Sequence, residues 1–387
     1  MVNQLPQGWK EVPFNSIFDV CNSGKEKIKQ SEYLPKADGL LPVVDQGQNL
    51  VSGYSNQFQK VILAKDNPLI VFGDHTRCVK YIDFDFVVGA DGTQLIRTKE
   101  NTLVKLGYYQ LMSANIPNNG YSRHFKYVKE QAYKLIIDKD EQKYIVDTLD
   151  AVAEIIRLRK ENIQLTKDLI PTIFHEMFGD PERKICLADV ATIKGGKRLP
   201  YGGQLQDETT VHPYIRIADM VNNTIKKDEL KYISDVIYNK IQNYTISSRD
   251  VYISIAGTIG RVGLVPDNLE GANLTENAAK IVLNENKINK VFLVYELLTD
   301  VLQSQIKSLT VQAGVPKLAI SRIESLKIYC PPLSEQEKFA DKVEQINKYI
   351  AAQQEELEQF ETLFQSLLQE AFTGILTWKY PRKESND

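Results

Sequence analysis

The sequence predicts an α+β protein with two strand-rich globular domains and two long antiparallel helices, arranged as an internal pseudo-two-fold repeat. Three observations predict this class: a heptad pattern near the end of the chain, a second copy of it in the middle, and runs rich in Val, Ile, Phe and Tyr before each copy. The predicted boundaries are a first domain over 1–138, a central helix over 139–180, a second domain over 181–333, a C-terminal helix over 334–378 and a tail over 379–387.

The C-terminal helix begins after Pro331 and Pro332, and no helix-breaking residue follows for about forty residues. Its apolar residues recur at the heptad spacing of a coiled coil. The predicted seam consists of Phe339, Val343, Ile346, Ile350, Gln353, Leu357, Phe360, Phe364, Leu367 and Ala371.

The central helix is predicted from a gap-free alignment of residues 141–178 with residues 335–372, in which the heptads stay in phase. Its seam consists of Ile145, Leu149, Val152, Ile156, Arg159, Ile163, Thr166, Ile170, Ile173 and Met177. The polar Arg159 and Gln353 occupy matching positions, and we expect them to lie close together in an antiparallel pair. Pro171 is expected to kink the helix or to leave its last turns separate.

The globular regions also repeat. "GADGT" (89–93) matches "GANLT" (271–275), and "GYSR" (120–123) matches "GVPK" (314–317). Strands are predicted within residues 60–73, 81–98, 212–220, 249–266 and 278–284. Helical segments are predicted within residues 101–115 and 289–309. Each copy therefore consists of a mixed α+β domain followed by a long helix.

Charge is unevenly distributed. The net charge of −3 resolves into +2 for residues 1–138, −3 for 139–180, +3 for 181–333 and −5 for 334–387. Mildly basic domains and acidic helices fit two different tasks on one chain. The sequence contains no apolar run long enough to cross a membrane, and its four cysteines and four histidines lack metal-site spacing. We expect a cytoplasmic protein with reduced cysteines and no bound metal.

The usual signatures of catalysis are missing from the sequence. There is no phosphate-binding GxxxxGK[ST] loop and no HExxH. Gly257, Gly260 and Gly263 predict a tight turn rather than a dinucleotide loop, and "CPPL" (330–333) lacks the flanking residues that amino-methyltransferases use. These absences argue against an independent enzyme.

Polar loops beside predicted strands recur in both domains instead. Gln and Asn can bond adenine edges, Arg can grip guanine, and Lys, Ser and Thr suit phosphates. The candidate DNA-binding residues are Gln46, Gln48, Asn49, His75, Thr76, Arg77, Lys80, Tyr121, Arg123, His124, Lys194, Lys197, Arg198, Arg216, Thr258, Arg261 and Lys317. Of these, Arg77, Arg123, Arg261 and Lys317 are expected on a DNA face. The alternative interpretation is a set of ordinary solvated loops.

The arrangement resembles the specificity subunit of type I restriction–modification systems over the whole chain. The resemblance rests on "IYCPPLSEQ" (328–336), on "EQ" (141–142) at the start of the central helix, and on the order domain–helix–domain–helix. "PVVDQGQNLVSGYSN" (42–56) and "PLIVFGDHTR" (68–77) also look like a target-recognition domain of that family. The first copy departs from the pattern because "LIIDKDEQ" (135–142) lacks the two prolines before "EQ".

The resemblance implies that each target-recognition domain reads one half of a split site in double-stranded DNA. It implies that the helices set the spacer and recruit two methyltransferase subunits, which bring S-adenosylmethionine, with restriction subunits as further partners. The chain itself would then be non-catalytic and bind no cofactor.

Two other classes stay open at the level of sequence. One is a helix-scaffolded interaction protein without a role in DNA recognition, and the other is an enzyme with an unfamiliar site. Salt distinguishes the first from a DNA-binding protein, because binding through phosphates weakens steeply between roughly 50 and 200 mM salt.

Overall fold

The computed structural model describes residues 5–21, 26–118, 120, 122–311 and 316–376. The chain forms two compact units: unit 1 (Met1–Glu161 with Glu355–Asp387) and unit 2 (Asn162–Gln354). The unit boundaries fall inside the long helices rather than at their ends. Each unit therefore contains a strand-rich region and one stretch of each long helix.

Unit 1 is built around two four-stranded sheets. Its strands are β1 (Trp9–Pro13), β2 (Phe18–Cys21), β3 (Leu41–Val44), β4 (Gly53–Ser55), β5 (Val61–Ile62), β6 (Leu69–Gly73), β7 (Val79–Ile82), β8 (Phe86–Val88), β9 (Thr93–Thr98) and β10 (Ala132–Ile136). One sheet has the antiparallel order β2-β9-β6-β7. The other has the order β4-β3-β8-β5, in which β3 and β8 run parallel. Strands β1 and β10 form a separate antiparallel pair.

The helices of unit 1 are α1 (Val104–Ser113), α2 (Phe125–Glu130), the first part of α3 (Lys139–Phe178) and the last part of α8 (Leu333–Thr373). Helix α1 packs on β6, β7 and β9 of the antiparallel sheet. All five residues of β6 are buried, as expected for a central apolar strand. Phe14, Phe18 and Tyr133 pack as an aromatic cluster beside it, with ring centroids 5.0–5.9 Å apart.

Unit 2 has a comparable set of elements. Its strands are β11 (Ile185–Cys186), β12 (Ala191–Gly195), β13 (Pro213–Ile215), β14 (Met220–Val221), β15 (Thr224–Ile225), β16 (Lys231–Tyr232), β17 (Thr245–Ile246), β18 (Val251–Ser254), β19 (Val262–Leu264), β20 (Ala272–Leu274), β21 (Ala278–Leu283) and β22 (Lys327–Ile328). Its helices are α4 (Asp235–Ile241), α5 (Lys290–Leu298), α6 (Asp300–Leu309), α7 (Ile320–Glu324) and the first part of α8 (Leu333–Thr373).

The sheets of unit 2 have the orders β12-β21-β18-β19 and β16-β13-β20-β17. They match the two sheets of unit 1 strand for strand, including a parallel pair, β13 with β20, where unit 1 has β3 with β8. The hairpin β14–β15 is a further element of unit 2. Its two turn residues, Asn222 and Asn223, have φ of +52° and +60°, which are typical of a two-residue type I′ turn.

The segment predicted as one helix over 289–309 is two helices. Thr299 has an extended backbone (ψ 147°) that ends α5, and its hydroxyl accepts a hydrogen bond from the Leu302 N–H at 3.4 Å as the cap of α6. A threonine between two apolar runs can either cap a helix or lie within one. The helical spacing of the apolar residues therefore did not reveal the break at Thr299.

Helix α3 continues through Pro171 as one helix of 40 residues, so the expectation of separate last turns is wrong and the alternative, a kink at Pro171, stays a prediction. Pro171 is exposed, while its neighbours Ile170 and Phe174 are buried. Phe174 lies 5.5 Å from the Phe292 ring and 5.2 Å from the Phe339 ring. This packing outweighs the backbone hydrogen bond that proline cannot donate. Within the described residues, no helix is both long and apolar enough to span a membrane.

The two long helices contact each other within each unit. In unit 1, Ile145, Leu149 and Val152 of α3 share a buried cluster with Phe364, Leu368, Ala371 and Phe372 of α8. In unit 2, Ile170 and Phe174 share one with Phe339 and Val343. In unit 1, early residues of α3 therefore meet late residues of α8, and in unit 2 late residues of α3 meet early residues of α8.

Seam residues of the two helices are buried or half-buried. The buried ones include Ile163, Thr166, Ile350 and Gln353, and the half-buried ones are Ile156, Arg159, Ile173, Met177, Ile346, Leu357, Phe360 and Leu367.

The matched polar residues in the middle of the seams bind different partners. Arg159 donates to the carboxylate of Glu356 within unit 1. Gln353 accepts a hydrogen bond from the Thr166 hydroxyl at 3.4 Å within unit 2. The expectation that Arg159 and Gln353 lie close together stays a prediction.

Two buried glutamines anchor the long helices to the globular regions. In unit 1, the Gln142 amide donates to the carbonyls of Asn101 (2.6 Å) and Ile136 (2.7 Å) and accepts from the Leu103 N–H (2.8 Å). Both Gln142 and its counterpart in unit 2, Gln336, are fully buried.

Gln336 repeats these three bonds in unit 2. Its amide donates to the carbonyls of Pro331 (2.7 Å) and Lys287 (3.2 Å) and accepts from the Asn289 N–H (2.8 Å). Each glutamine thus links the first turn of a long helix to the chain just before it and to the start of a second segment. We call this arrangement the glutamine clamp.

We expect Gln142→Ala and Gln336→Ala each to lower the free energy of unfolding by about 2 kcal/mol or more, because each removes the three backbone hydrogen bonds of a fully buried amide, and the bond to Ile136 or Pro331 is itself buried. Urea denaturation followed by circular dichroism measures the loss. Gln164→Ala, which changes an exposed glutamine of α3, is the matched control and should shift stability by at most about 0.5 kcal/mol. Equal stability of Gln142→Ala and the control would contradict a clamp.

Candidate nucleic-acid interface

In unit 1, several loops meet at one end of the sheets. The Gln46 side chain accepts a hydrogen bond from the His75 N–H at 3.2 Å, and the Gln46 carbonyl accepts from the Thr76 hydroxyl. The N–H of Asp74 donates to the Gly92 carbonyl at 2.8 Å, and Lys27 reaches the Thr93 carbonyl at 2.8 Å. The loops after β3, β6 and β8 therefore form one polar surface.

A buried polar group holds this surface from below. Asp74 accepts a hydrogen bond from the Phe125 N–H at 2.8 Å. The His124 ring lies fully buried, 2.9 Å from the Asp74 carbonyl and 3.3 Å from the Ser122 hydroxyl. His75 contacts the Ser122 carbonyl at 3.2 Å. His124 is thus a structural residue that fixes the β6–β7 turn, and its prediction as a DNA contact is corrected.

Lys80 is likewise structural. It is 6% exposed, and its ammonium donates to the carbonyls of Asp45 (2.8 Å) and Asn49 (2.5 Å). Burial lowers the pKa of Lys80, while the nearby Asp45 carboxylate opposes that shift. Lys80 therefore shapes the loop that carries Gln48 and Asn49, and its ammonium is not presented to phosphates.

Asp45 organises the same loop. Its carboxylate accepts hydrogen bonds from the Ser52 hydroxyl (2.5 Å), the Gly47 N–H (2.8 Å) and the Tyr33 hydroxyl (3.1 Å). Burial favours a raised pKa for Asp45, but these bonds outweigh burial and lower it. The exposed side chains of Gln48 and Asn49 are carried by this fixed loop.

The two arginines predicted for the DNA face of unit 1 differ in their surroundings. Arg77 has a left-handed backbone (φ +61°) and donates to the Ile116 carbonyl at 3.3 Å, so it braces the loop. Arg123 is exposed. Tyr121 lies outside the described residues.

In unit 2, the corresponding loops also meet at one end of the sheets. The N–H groups of Ile255 and Ala256 donate to the Asn277 carbonyl, and Ala256 forms a β-bridge with Lys317. Arg198 donates to Glu276 at 2.8 Å, beside Asn277. The loops after β12, β18 and β20 therefore lie together, as do those after β6 and β8 in unit 1.

Two arginines of unit 2 hold a neighbouring segment. Arg216 binds Asp219 through two nitrogens (2.7 and 3.1 Å) and also reaches the Glu229 carbonyl. Arg261 donates to the carbonyls of Ile217 (3.3 Å) and Met220 (3.1 Å). Both brace the segment that leads into hairpin β14–β15. The exposed candidates of unit 2 are Lys194, Lys197, Arg198, Thr258, Arg261 and Lys317.

The glycine-rich segment 257–263 forms the tight turn predicted for it. Gly257 and Gly260 have φ of +74° and +86°, and the Ser254 N–H donates to the Arg261 carbonyl at 2.9 Å to close the hairpin. Among the described residues there is no group of His, Cys, Asp and Glu that could hold a metal ion.

The family model for the type I restriction modification DNA specificity domain matches residues 6–167 and again residues 182–362. The chain belongs to this family. It therefore serves the DNA sequence-specificity function of a type I restriction–modification system, and the resemblance seen in the sequence is confirmed.

Curated relatives agree with this assignment. The chain is 22% identical to the type I restriction enzyme MjaVIII specificity subunit of Methanocaldococcus jannaschii, over 97% of this chain and 95% of that protein. It is 23% identical to the EcoBI specificity subunit of Escherichia coli, over 62% of this chain and 48% of that protein.

Solved structures share the fold. The crystal structure of a type I restriction–modification S subunit from M. genitalium superposes with a TM-score of 0.53 at 17% identity, covering 96% of this chain and 97% of that one. A chain from a study of complex assembly and conformational transition in the type I system gives 0.53 at 18% identity, covering 96% and 100%. The mixed α/β architecture with long helices is thus the fold of this specificity family.

Several residues of the specificity chain were missed from sequence. Lys27 joins the polar surface of unit 1, Glu276 orients Arg198, and the Tyr244 ring lies 5.3 Å from the Lys197 ammonium. The sequence signal for Lys27 is the similarity of "IFDVCNSGK" (17–25), just before it, to "LADVATIKGGK" (187–197), which ends at Lys197.

We expect Lys80→Ala to destabilise the chain by about 2 kcal/mol or more, because the buried bond to the Asp45 carbonyl and the part-buried bond to the Asn49 carbonyl are both lost. Arg123→Ala should change stability by at most about 0.5 kcal/mol, since its side chain is exposed. Urea denaturation of the two variants makes the comparison. If Lys80→Ala unfolded at the wild-type midpoint, the structural role assigned to Lys80 would be wrong.

Proposed function

We propose that each unit reads one half of a split DNA site. The observation that carries the proposal is that both units contain the same pair of four-stranded sheets and the same glutamine clamp, whereas their surface loops differ in sequence. Two units that share one fold but carry different loops are suited to a DNA target made of two different half-sites.

The exposed polar side chains make the contacts with DNA. In unit 1 these are Gln48, Asn49 and Arg123, and in unit 2 they are Lys194, Lys197, Arg198, Thr258 and Lys317. Arg77, Arg216 and Arg261 support the loops from which such contacts are made. Exposed cations supply phosphate binding, and planar Arg and amide groups suit base edges.

The long helices serve assembly. We infer that α3 and α8 form an antiparallel coiled coil, which sets the length of the unread spacer between the half-sites. We infer that the same helices recruit two methyltransferase subunits, and that these subunits supply S-adenosylmethionine. Leu165 and Leu169, one turn apart on α3 in unit 2, are 58% and 50% exposed and could be covered by such a subunit. Restriction subunits join the same cytoplasmic assembly, and the chain itself performs no catalysis.

Co-expression with the methyltransferase genes beside it, followed by genome-wide mapping of methylated adenines, tests the DNA role. Replacing residues 1–138 with the equivalent domain of a relative should change one half of the methylated motif and leave the other half intact. The replacement ends just before α3, and the backbone groups that Gln142 binds are supplied by any sequence.

The reciprocal replacement of residues 181–333 is the matched control and should change the opposite half. A swap that altered both halves would contradict independent readers. A complex that methylated nothing, and bound DNA without salt dependence, would favour the helix-scaffolded interaction protein instead.

The spacer function makes a separate prediction. One heptad inserted into α3 after Arg159, with a second inserted into α8 after Gln353, should keep both half-sites and lengthen only the unread spacer. Seven helical residues add up to ~10 Å at 1.5 Å per residue, which corresponds to about three base pairs.

Mapping of methylated adenines reads the spacer directly. A heptad added to α3 alone is the control, because it breaks the register with α8 and should reduce methylation. Full activity with an unchanged spacer in the double insertion would show that the helices do not measure DNA.

A further inference from the structure

Tyr201 is displayed at the tip of a tight turn in unit 2. Its relative exposure is 108%, the highest among the exposed large hydrophobic residues that the structure describes. The Gly203 N–H donates to the Pro200 carbonyl at 2.8 Å, and Gly202 has φ +77°. This is a type II turn with Tyr201 at its first corner, the position from which the side chain points away from the chain.

Both flanks of the turn are packed. Leu199 and Leu205 lie against a buried cluster of Tyr214, Ile233 and Ile241. A turn held on each side by apolar packing keeps one conformation, so Tyr201 is presented by a fixed support. Because the exposed Tyr201 ring buries no apolar surface, it does not stabilise the fold.

The chain just before the turn is fixed to the sheet. The Lys197 N–H donates to the Leu274 carbonyl at 2.8 Å, and its carbonyl accepts from the Tyr214 hydroxyl at 2.8 Å. A Cβ on Gly196 would lie 2.1 Å from the Thr275 carbonyl oxygen, so only glycine allows this close approach. Tyr201 therefore has a set position relative to the edge where the loops of unit 2 meet.

The segment that leads into the ring is basic. Residues 190–200 contain Lys194, Lys197 and Arg198 and no Asp or Glu, and the first acidic residues after the ring are Asp207 and Glu208. The Lys197 ammonium lies over Tyr244, and Arg198 is held by Glu276. An exposed aromatic ring among cations on a rigid glycine-rich loop matches the chemistry of nucleic-acid binding more closely than that of a protein interface, whose core is depleted of Lys.

We propose that Tyr201 inserts its ring against a base step of DNA beside the half-site that unit 2 reads, and so adds shape readout to the polar contacts. Inserted side chains unstack a base step and bend the duplex, and the energy of that deformation depends on sequence. The inference rests on the proposed DNA-reading function of unit 2.

The test uses the full chain with its methyltransferase partners and duplexes that carry the mapped methylation motif. 2-Aminopurine is placed in turn at each position in and beside the half assigned to unit 2. One position should brighten with wild type and with Tyr201→Phe. Tyr201→Ala should abolish that signal and weaken binding roughly 5- to 150-fold, the range measured for loss of one stacking ring.

The salt dependence of binding should be unchanged in Tyr201→Ala, because no phosphate contact is lost. Leu63→Ala, at an exposed residue just after β5 in unit 1, is the control and should bind as wild type does. If Tyr201→Ala bound as tightly as wild type, or if no position brightened with wild type, Tyr201 would not stack on DNA. If wild type itself failed to bind the motif, the proposed function would fall and this inference with it.

Discussion

The fold depends on how the first turn of each long helix is joined to the globular region. Backbone groups in the segments beside each helix start need hydrogen-bond partners where they are covered. Gln142 and Gln336 supply them: each buried amide accepts from one backbone N–H and donates to two carbonyls of neighbouring segments. The direction in which each helix leaves its sheet is therefore specified by hydrogen bonds of defined geometry, and apolar packing along the seam then extends it.

The same rule of satisfying buried polar groups separates two kinds of cation. Lys80 and Arg261 donate hydrogen bonds to carbonyls of neighbouring loops. Arg216 donates to the Asp219 carboxylate and to the Glu229 carbonyl. They give the loops a shape. Arg123 and Lys317 remain at the surface. A recognition surface needs both kinds, because an exposed contact is specific only when the loop beneath it is rigid.

Sequence predicted the helices better than the site. Heptad periodicity extends over dozens of residues, so α3 and α8 were found almost to their ends, and only the continuity through Pro171 was missed. The break at Thr299 was missed because it lies within an unbroken helical period.

For the site, residue type showed that Lys80 and His124 are polar but not that they are buried. Burial follows from long-range pairings such as β3 with β8, which no local pattern encodes. "EQ" was visible at both helix starts, yet its function as a clamp could be seen only with its carbonyl partners in place.

Unit 1 is formed by two separate segments of the chain, which affects the order in which the two units fold during synthesis. Its core combines Leu106 and Ile145 with Phe364 and Phe372, which are separated by more than half of the sequence. Unit 2 draws on one uninterrupted stretch. Domains usually fold in the order of synthesis. Here everything that unit 2 requires is synthesised while unit 1 still lacks the α8 side of its core, so the unit that begins first is completed last, and its apolar face stays uncovered until residues 355–373 emerge from the ribosome.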